Sequence, residues 1–300
     1  MADFHIPIMR AEVLQHLRPQ PGEIAVDCTL GGGSHAIALL ERVQPRGRVI
    51  ALDMDPIELR RAEARIRLAG FAPDTFTAHH ANFADLPRVL AEEGVPAADV
   101  ILADLGVSAM QHDDPYRGFG YKVAGPLDMR MDPTGGEPAA QLLRRLDENE
   151  LSALLTENAD EPHAVLIART LKRQVPESTN ALERIVRTAI NHDHPQLAKS
   201  QVKMSVRRTF QALRIAVNDE FSALDALLRA LPGVLAAGGR VAVLTFHSGE
   251  DRRVKKAFQA GHRDGVYAAT AREVVRSAKA ETFSNRRAAA AKLRWAVRAG

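Results

Sequence analysis

Residues 26–36, VDCTLGGGSHA, lead a β-branched apolar run straight into three glycines and then into a helical pattern. A strand that hands over to a helix through bare backbone defines a βα unit, which needs parallel neighbours to bury its faces. The chain supplies them. EIAVDC (23–28), GRVIALD (47–53), DTFTAH (74–79) and ADVILADL (98–105) read as strands. SHAIALLERV, PIELRRAEARIRLAG and ADLPRVLAEEG, lying between them, repeat apolar residues at helical spacing. The alternation predicts an α/β fold, Rossmann-like, with a doubly wound parallel sheet and helices on both faces.

After the fourth strand the alternation stops. Residues 111–136, QHDDPYRGFGYKVAGPLDMRMDPTGG, show neither period; a loop that long inside a compact protein is usually functional or disordered, and its aromatics, methionines and PLDMRMDP argue against disorder. Helices follow. DENE (147–150) reads as a capping box, EPHAVLIARTLKRQ and STNALERIVRTAIN are amphipathic, and Ser178 or Thr179 opens the latter. From Val206 one long helix carries Phe210, Leu213, Val217, Phe221, Leu224 and Leu228. RVAVLTF (240–246) restores the strand signal, and KLRWAVR (292–298) alternates like an edge strand. The organisation expected is a discontinuous α/β domain over 1–110 and 205–300, with a loop and an all-helical insert over 111–204.

With 300 residues and 46% hydrophobic content, the chain can bury a full core. It has no uncharged apolar run long enough to span a bilayer, and MADFHIPIMRAEV lacks the pattern of a secretory signal. The single cysteine, Cys28, cannot pair internally, which fits a reducing cytoplasm. Net charge is only +3 but uneven: residues 1–110 hold 10 Lys/Arg against 15 Asp/Glu, residues 252–300 hold 13 against 3. A basic C-terminal segment suits a polyanion, and equally a solvated surface rich in arginine.

GGGSHA satisfies G-x-G-x-x-A through Gly31, Gly33 and Ala36, and Asp53 ends the second strand. In a doubly wound sheet that carboxylate stands beside the ribose of an adenosine bound over the turn. Dinucleotides and S-adenosylmethionine both fit. Asp27 favours the second, because a carboxylate before the glycines repels a pyrophosphate and attracts a methionyl ammonium. Asp55, with Pro56 and Glu58, is instead a helix cap.

The fourth strand ends in ADLGVSAMQ, presenting Asp104, then Gly106, Ser108 and Gln111. An exocyclic base amine is a poor nucleophile because its lone pair is delocalised into the ring. A carboxylate that accepts its N–H bonds returns charge to the nitrogen, which makes Asp104 the candidate catalytic group. Phe119, Tyr121 and Phe246 are candidate stacking walls, or core. His247 is a candidate polar contact, while Ser248 with Asp251 reads as a capping box. His79, His80, His192 and His194 lack carboxylate or thiolate partners at ligand spacing, so no metal is expected. The basic KKAF and the later arginines would contact phosphates if RNA binds.

HIPIMRAEVL (5–14), VDCTLGGGSHA, ALDMDP (51–56), LADLGVSAMQHDDPYRGFGY (102–121), GPLDMRMDP (125–133), RTFQALRIAVNDE (208–220), FHSGEDR (246–252) and KLR (292–294) together carry a resemblance. The chain resembles the bacterial MraW/RsmH type of small-subunit rRNA cytosine-N4 methyltransferase. The resemblance implies a class I S-adenosylmethionine-dependent methyltransferase domain with an inserted helical domain for RNA recognition. It implies methylation of N4 of a cytidine in the decoding centre of 16S rRNA. Cofactor contacts carry over to Gly33, Ser34, His35, Asp53, Phe83, Asp104 and Gln111. The chain departs from the family pattern at Gly32, Ser34, 204–207 (MSVR), Gly249 and Ala289. Those departures keep a second class in view, a non-catalytic assembly factor that binds the same cofactor and rRNA. A nicotinamide-dependent dehydrogenase is disfavoured by Asp27.

Overall fold

The computed structural model describes residues 7–300; His5 and Ile6 of the first motif lie outside the described residues. The chain begins with α1 (Arg10–Leu17), β1 (Ile24–Asp27), α2 (Ser34–Val43), β2 (Arg48–Asp53), α3 (Pro56–Leu68), β3 (Phe76–His80), α4 (Leu86–Glu92) and β4 (Ala98–Asp104). A helical stretch follows: α5 (Ala109–Asp113), α6 (Ala139–Arg145), α7 (Glu148–Ala159), α8 (Ala164–Arg173), α9 (Thr179–Asp193) and α10 (Lys199–Val217). The chain ends with α11 (Glu220–Val234), β5 (Leu235–Thr245), α12 (Ser248–Arg263), β6 (Tyr267–Thr270), β7 (Val275–Arg276), α13 (Lys279–Ser284) and β8 (Lys292–Arg298). No helix among the described residues is long and apolar enough to cross a membrane.

Two compact units result, one made of residues up to 106 with 222–300, the other of 107–221. The cuts fall outside the sequence-based boundaries at 110 and 205, because α10 packs on α7 and α9 and so belongs to the helical unit.

In the first unit one sheet runs β3-β2-β1-β4-β5-β8-β6, with β7 paired to β8. Strands β1 to β5 are parallel. Period-2 alternation splits their side chains between two cores. Val26, Ile50, Leu52, Ile101 and Val243 face α4, α11 and α12 through Leu90, Leu227 and Phe258. Ala25, Val49, Ala51, Leu102 and Leu244 face α1, α2 and α3 through Leu17, Leu39 and Ile66. Both faces are covered, which is why these strands read as unbroken apolar runs. Truncating a fully buried leucine such as Leu102 to alanine costs roughly 2–5 kcal/mol.

KLRWAVR is not an edge. It forms β8, antiparallel to β5 on one side and to β6 and β7 on the other. Tyr267–Thr270, which provides the covering strand β6, is too short and alanine-rich to announce itself.

In the second unit, α7 packs on α8 and α10, and α9 on α8 and α10. Asp147 and Glu150 form the expected capping box of α7. Ser178 occupies the N-cap of α9 without accepting a backbone N–H of its first turn; its hydroxyl donates to the side-chain oxygen of Asn180. The single long helix expected from Val206 is two helices. The break falls at Asn218 and Asp219, with Asp219 in the left-handed region at φ 48°. The long loop is ordered against this break. Asn218 Oδ1 accepts the Met131 N–H at 2.7 Å, and its Nδ2 donates to the Met129 carbonyl at 2.8 Å. A Cβ at Gly125 would lie 1.8 Å from the Pro115 carbonyl oxygen, so only glycine lets the loop fold back on itself.

Candidate active site

Strand order reverses between β1 and β4, and a doubly wound sheet binds its ligand at the carboxyl ends of the strands there. Those ends are Asp27 and Asp104. Asp27 is fully buried; its Oδ1 accepts the Thr29 N–H at 3.1 Å, while Oδ2 has no hydrogen-bond donor among the described residues. Burial, opposed by the Thr29 N–H and reinforced by Asp53, pushes its pKa up to about 7. Asp104 keeps a quarter of its side chain open. Its N–H donates to Thr29 Oγ1 at 2.7 Å, its Oδ2 stands 3.6 Å from His35 Nε2, and its Oδ1 has no donor. Burial, then the charges of Asp27 and Glu250, push it up to about 8. His35 is buried and held down to about 4 by burial, so the ring beside Asp104 is neutral at pH 7.

The glycine turn is laced to β2. Asp53 Oδ2 accepts the Gly31 N–H at 2.6 Å and Oδ1 accepts the Asp55 N–H at 2.8 Å. Each oxygen expected to meet a ribose thus already accepts one backbone donor and keeps a second acceptor site. Burial pushes Asp53 up to about 6 against the pull of those two N–H bonds. Gly33 is the N-cap of α2 at φ 77°, and a Cβ there would press on Ala62 at 3.3 Å. Gly33 brings no side-chain oxygen to the first turn, so the amino end of α2, opening at Ser34 and His35, suits an anionic group. Gly32, one of the positions that depart from the family pattern, has its carbonyl held by Arg65 Nη1 at 2.7 Å.

Phe83 opens a short turn after β3 and packs partly on the sheet core, with Asn82 capping it. Asp55 caps α3 as expected, accepting from Ile57 and Glu58. Gln111 belongs to the helical unit. There its Oε1 accepts the Ser108 N–H at 2.9 Å and its own N–H donates to Ser108 Oγ, a capping box on α5. Two aromatic candidates are packed rather than open: Phe119 is buried with the Arg117 guanidinium 5.9 Å from its ring centre, and Tyr121 lies 5.0 Å from Phe210. Phe246 is partly buried against the α1–α3 core. The expected Ser248–Asp251 box is displaced by one residue. His247 is the N-cap of α12, and Glu250 Oε2 accepts the Phe246 N–H at 2.8 Å. Asp251 instead binds Arg294 at 2.6 Å and Lys292 at 3.2 Å. Thr29 and Glu250 went unnoticed in the sequence, although both stand inside motifs read for other residues.

The sequence matches the MraW methylase family over residues 2–299. The chain belongs to that family. It is 42% identical over 303 residues to the ribosomal RNA small subunit methyltransferase H 2 of Alkaliphilus metalliredigens, covering 99% of this chain and 86% of that one. It is 44% identical over 313 residues to the ribosomal RNA small subunit methyltransferase H of Anaeromyxobacter sp. strain K, covering 98% and 97%. The chain is an S-adenosylmethionine-dependent methyltransferase of class I fold. The site fits that cofactor. Two buried carboxylate oxygens lacking donors, on Asp27 and Asp104, suit a ligand that is cationic at its sulfonium and ammonium centres.

Proposed function

We propose that the enzyme methylates N4 of a cytidine in the decoding centre of 16S rRNA, within the small ribosomal subunit. The names of its relatives support the RNA, and the Asp104 oxygen lacking a donor at the end of β4 supports the exocyclic amine. S-adenosylmethionine supplies an electrophilic methyl group. The 31–35 turn with Asp27 would hold its methionyl end, Asp53 its ribose, and Phe83 its adenine.

Asp104 acts on the base. Its Oδ1 accepts a hydrogen bond from the N4 amine, draws the lone pair back from the ring onto nitrogen, and takes the proton that nitrogen sheds. A group held near pKa 8 by burial is well matched to that task, because it is basic enough to capture the proton and still partly ionised at neutral pH. Neutral His35 behind it adds no positive charge that would quench the carboxylate.

Mass spectrometry of rRNA from a strain lacking the protein tests the assignment. One N4-methylcytidine should disappear and return with the wild-type gene. An unchanged nucleoside inventory refutes it. Incubating the protein with labelled S-adenosylmethionine and unmethylated small subunits separates it from a pure binder, which transfers no label.

A further inference from the structure

Phe119 and Tyr121 are packed, yet among the described residues of the sheet-containing unit one aromatic ring stands open: Phe283 is 92% exposed. It lies on α13, which is anchored at both ends. Glu281 Oε1 accepts the Met9 N–H at 2.8 Å, and its Oε2 accepts the Ser277 hydroxyl at 2.7 Å. Beyond the helix, Asn285 caps the turn over Arg286–Ala290 by accepting the Arg287 N–H, and Ala288 and Ala291 are buried beneath it. On the entry side β7 pairs with β8 through Val275–Leu293 and Arg276–Lys292. The fold therefore holds a whole phenyl ring in water on an ordered support, where it contributes nothing to the core.

Cations flank it along the chain. Lys279 lies one turn before Phe283 on the same side of α13; Arg272 and Arg276 precede it, and Arg286 follows. All four are exposed, and none is ion-paired among the described residues. Many arginines elsewhere in this unit have a carboxylate partner, as Arg10 has Glu41, Arg48 has Glu93 and Arg240 has Glu23. Of the nearby acids, Glu281 is already committed to holding α13.

We propose that α13 and its flanking turns form a docking platform for single-stranded RNA. Phe283 stacks an unpaired base there, and Arg276, Lys279 and Arg286 contact the flanking phosphates. Unpartnered cations select a polyanion, and an open aromatic face selects one whose bases are free to stack. A duplex hides its base faces and would leave the ring idle. This rests on the rRNA reading above and adds where, apart from the methylated nucleotide, the substrate is gripped.

The test uses the full-length protein and a fluorescein-labelled single-stranded oligouridylate, which contains no cytosine and so reads the platform apart from methyl transfer. Phe283→Ala should weaken binding about tenfold without changing the salt dependence, whereas Phe283→Trp should bind like wild type. Arg276→Ala should lower the slope of log affinity against log salt by about 0.7. A 2-aminopurine in the strand should be quenched by the wild-type protein and not by Phe283→Ala. Equal binding and quenching by that variant overturn the platform. So does a change confined to its sedimentation, which would make the patch a contact between copies. If the deletion strain keeps its N4-methylcytidine, the assigned reaction falls, while the oligouridylate result still decides the platform.

Discussion

Asp27, Asp53 and Asp104 end adjacent parallel strands, and burial drives all three above the ordinary carboxylate range, to about 7, 6 and 8. Such groups hold protons in the folded chain that the unfolded chain has already released. Their contribution to stability is therefore greatest below about pH 4 and declines as pH rises toward 8. A bound cation reverses that preference by favouring the ionised forms. The thermal shift caused by S-adenosylmethionine should consequently grow from pH 6 to pH 8.5, and calorimetry in buffers of different ionisation heat should detect proton release on binding. A shift that is flat or shrinks over that range contradicts the assignment of these carboxylates to the cofactor. Asp104→Asn isolates the proposed catalytic role. It keeps the shape and removes the proton acceptor, so kcat for methyl transfer should fall about a hundredfold or more. Its melting temperature at pH 8 should be no lower than wild type, because a costly buried charge has gone. A variant that melts lower and turns over normally would make Asp104 a structural group.

Among the elements, α2 was legible residue for residue, because Ala36, Leu39, Leu40 and Val43 repeat at three and four behind a glycine turn. The strand ends bearing Asp27, Asp53 and Asp104 were legible to within a residue, since each apolar run stops at or just after its aspartate. The loop around GPLDMRMDP was not. Its backbone bonds are closed from a distance: Arg117 donates to the carbonyls of Arg130 and Met131, and Asn218 reaches Met129 and Met131 from the helix break. No periodic signal encodes a contact between residues 87 apart. The break itself was hidden, since apolar spacing runs through 213, 217, 221 and 224 as though one helix continued. Asn218→Ala tests the latch. It strands a buried N–H and a buried carbonyl and should lower stability by roughly 2–3 kcal/mol, read from urea unfolding. Asn218→Leu fills the volume and should be no better, because it supplies neither hydrogen bond. If either variant unfolds with wild-type midpoint, the loop is held by something else.

Across the whole molecule, charge is unevenly distributed. The strand ends proposed to hold the cofactor are acidic and largely closed, whereas residues 252–300 carry 13 basic side chains against 3 acidic ones, most of them on the surface. Salt acts unequally on two such fields. Exposed cations that meet phosphates displace condensed counterions, so their contribution falls steeply with ionic strength, while a buried carboxylate facing a bound cation is screened far less. Raising salt from about 50 to about 200 mM should therefore raise the KM for small subunits by at least tenfold, as expected when several phosphate contacts are lost. The Kd for S-adenosylmethionine, measured by calorimetry over the same range, should move only a few-fold. Neutralising Arg276, Lys279 and Arg286 together should flatten the first dependence and leave the second unchanged. Parallel loss of both constants would mean that salt acts on the fold as a whole, and the separation of an acidic cofactor end from a basic substrate surface would have no functional content.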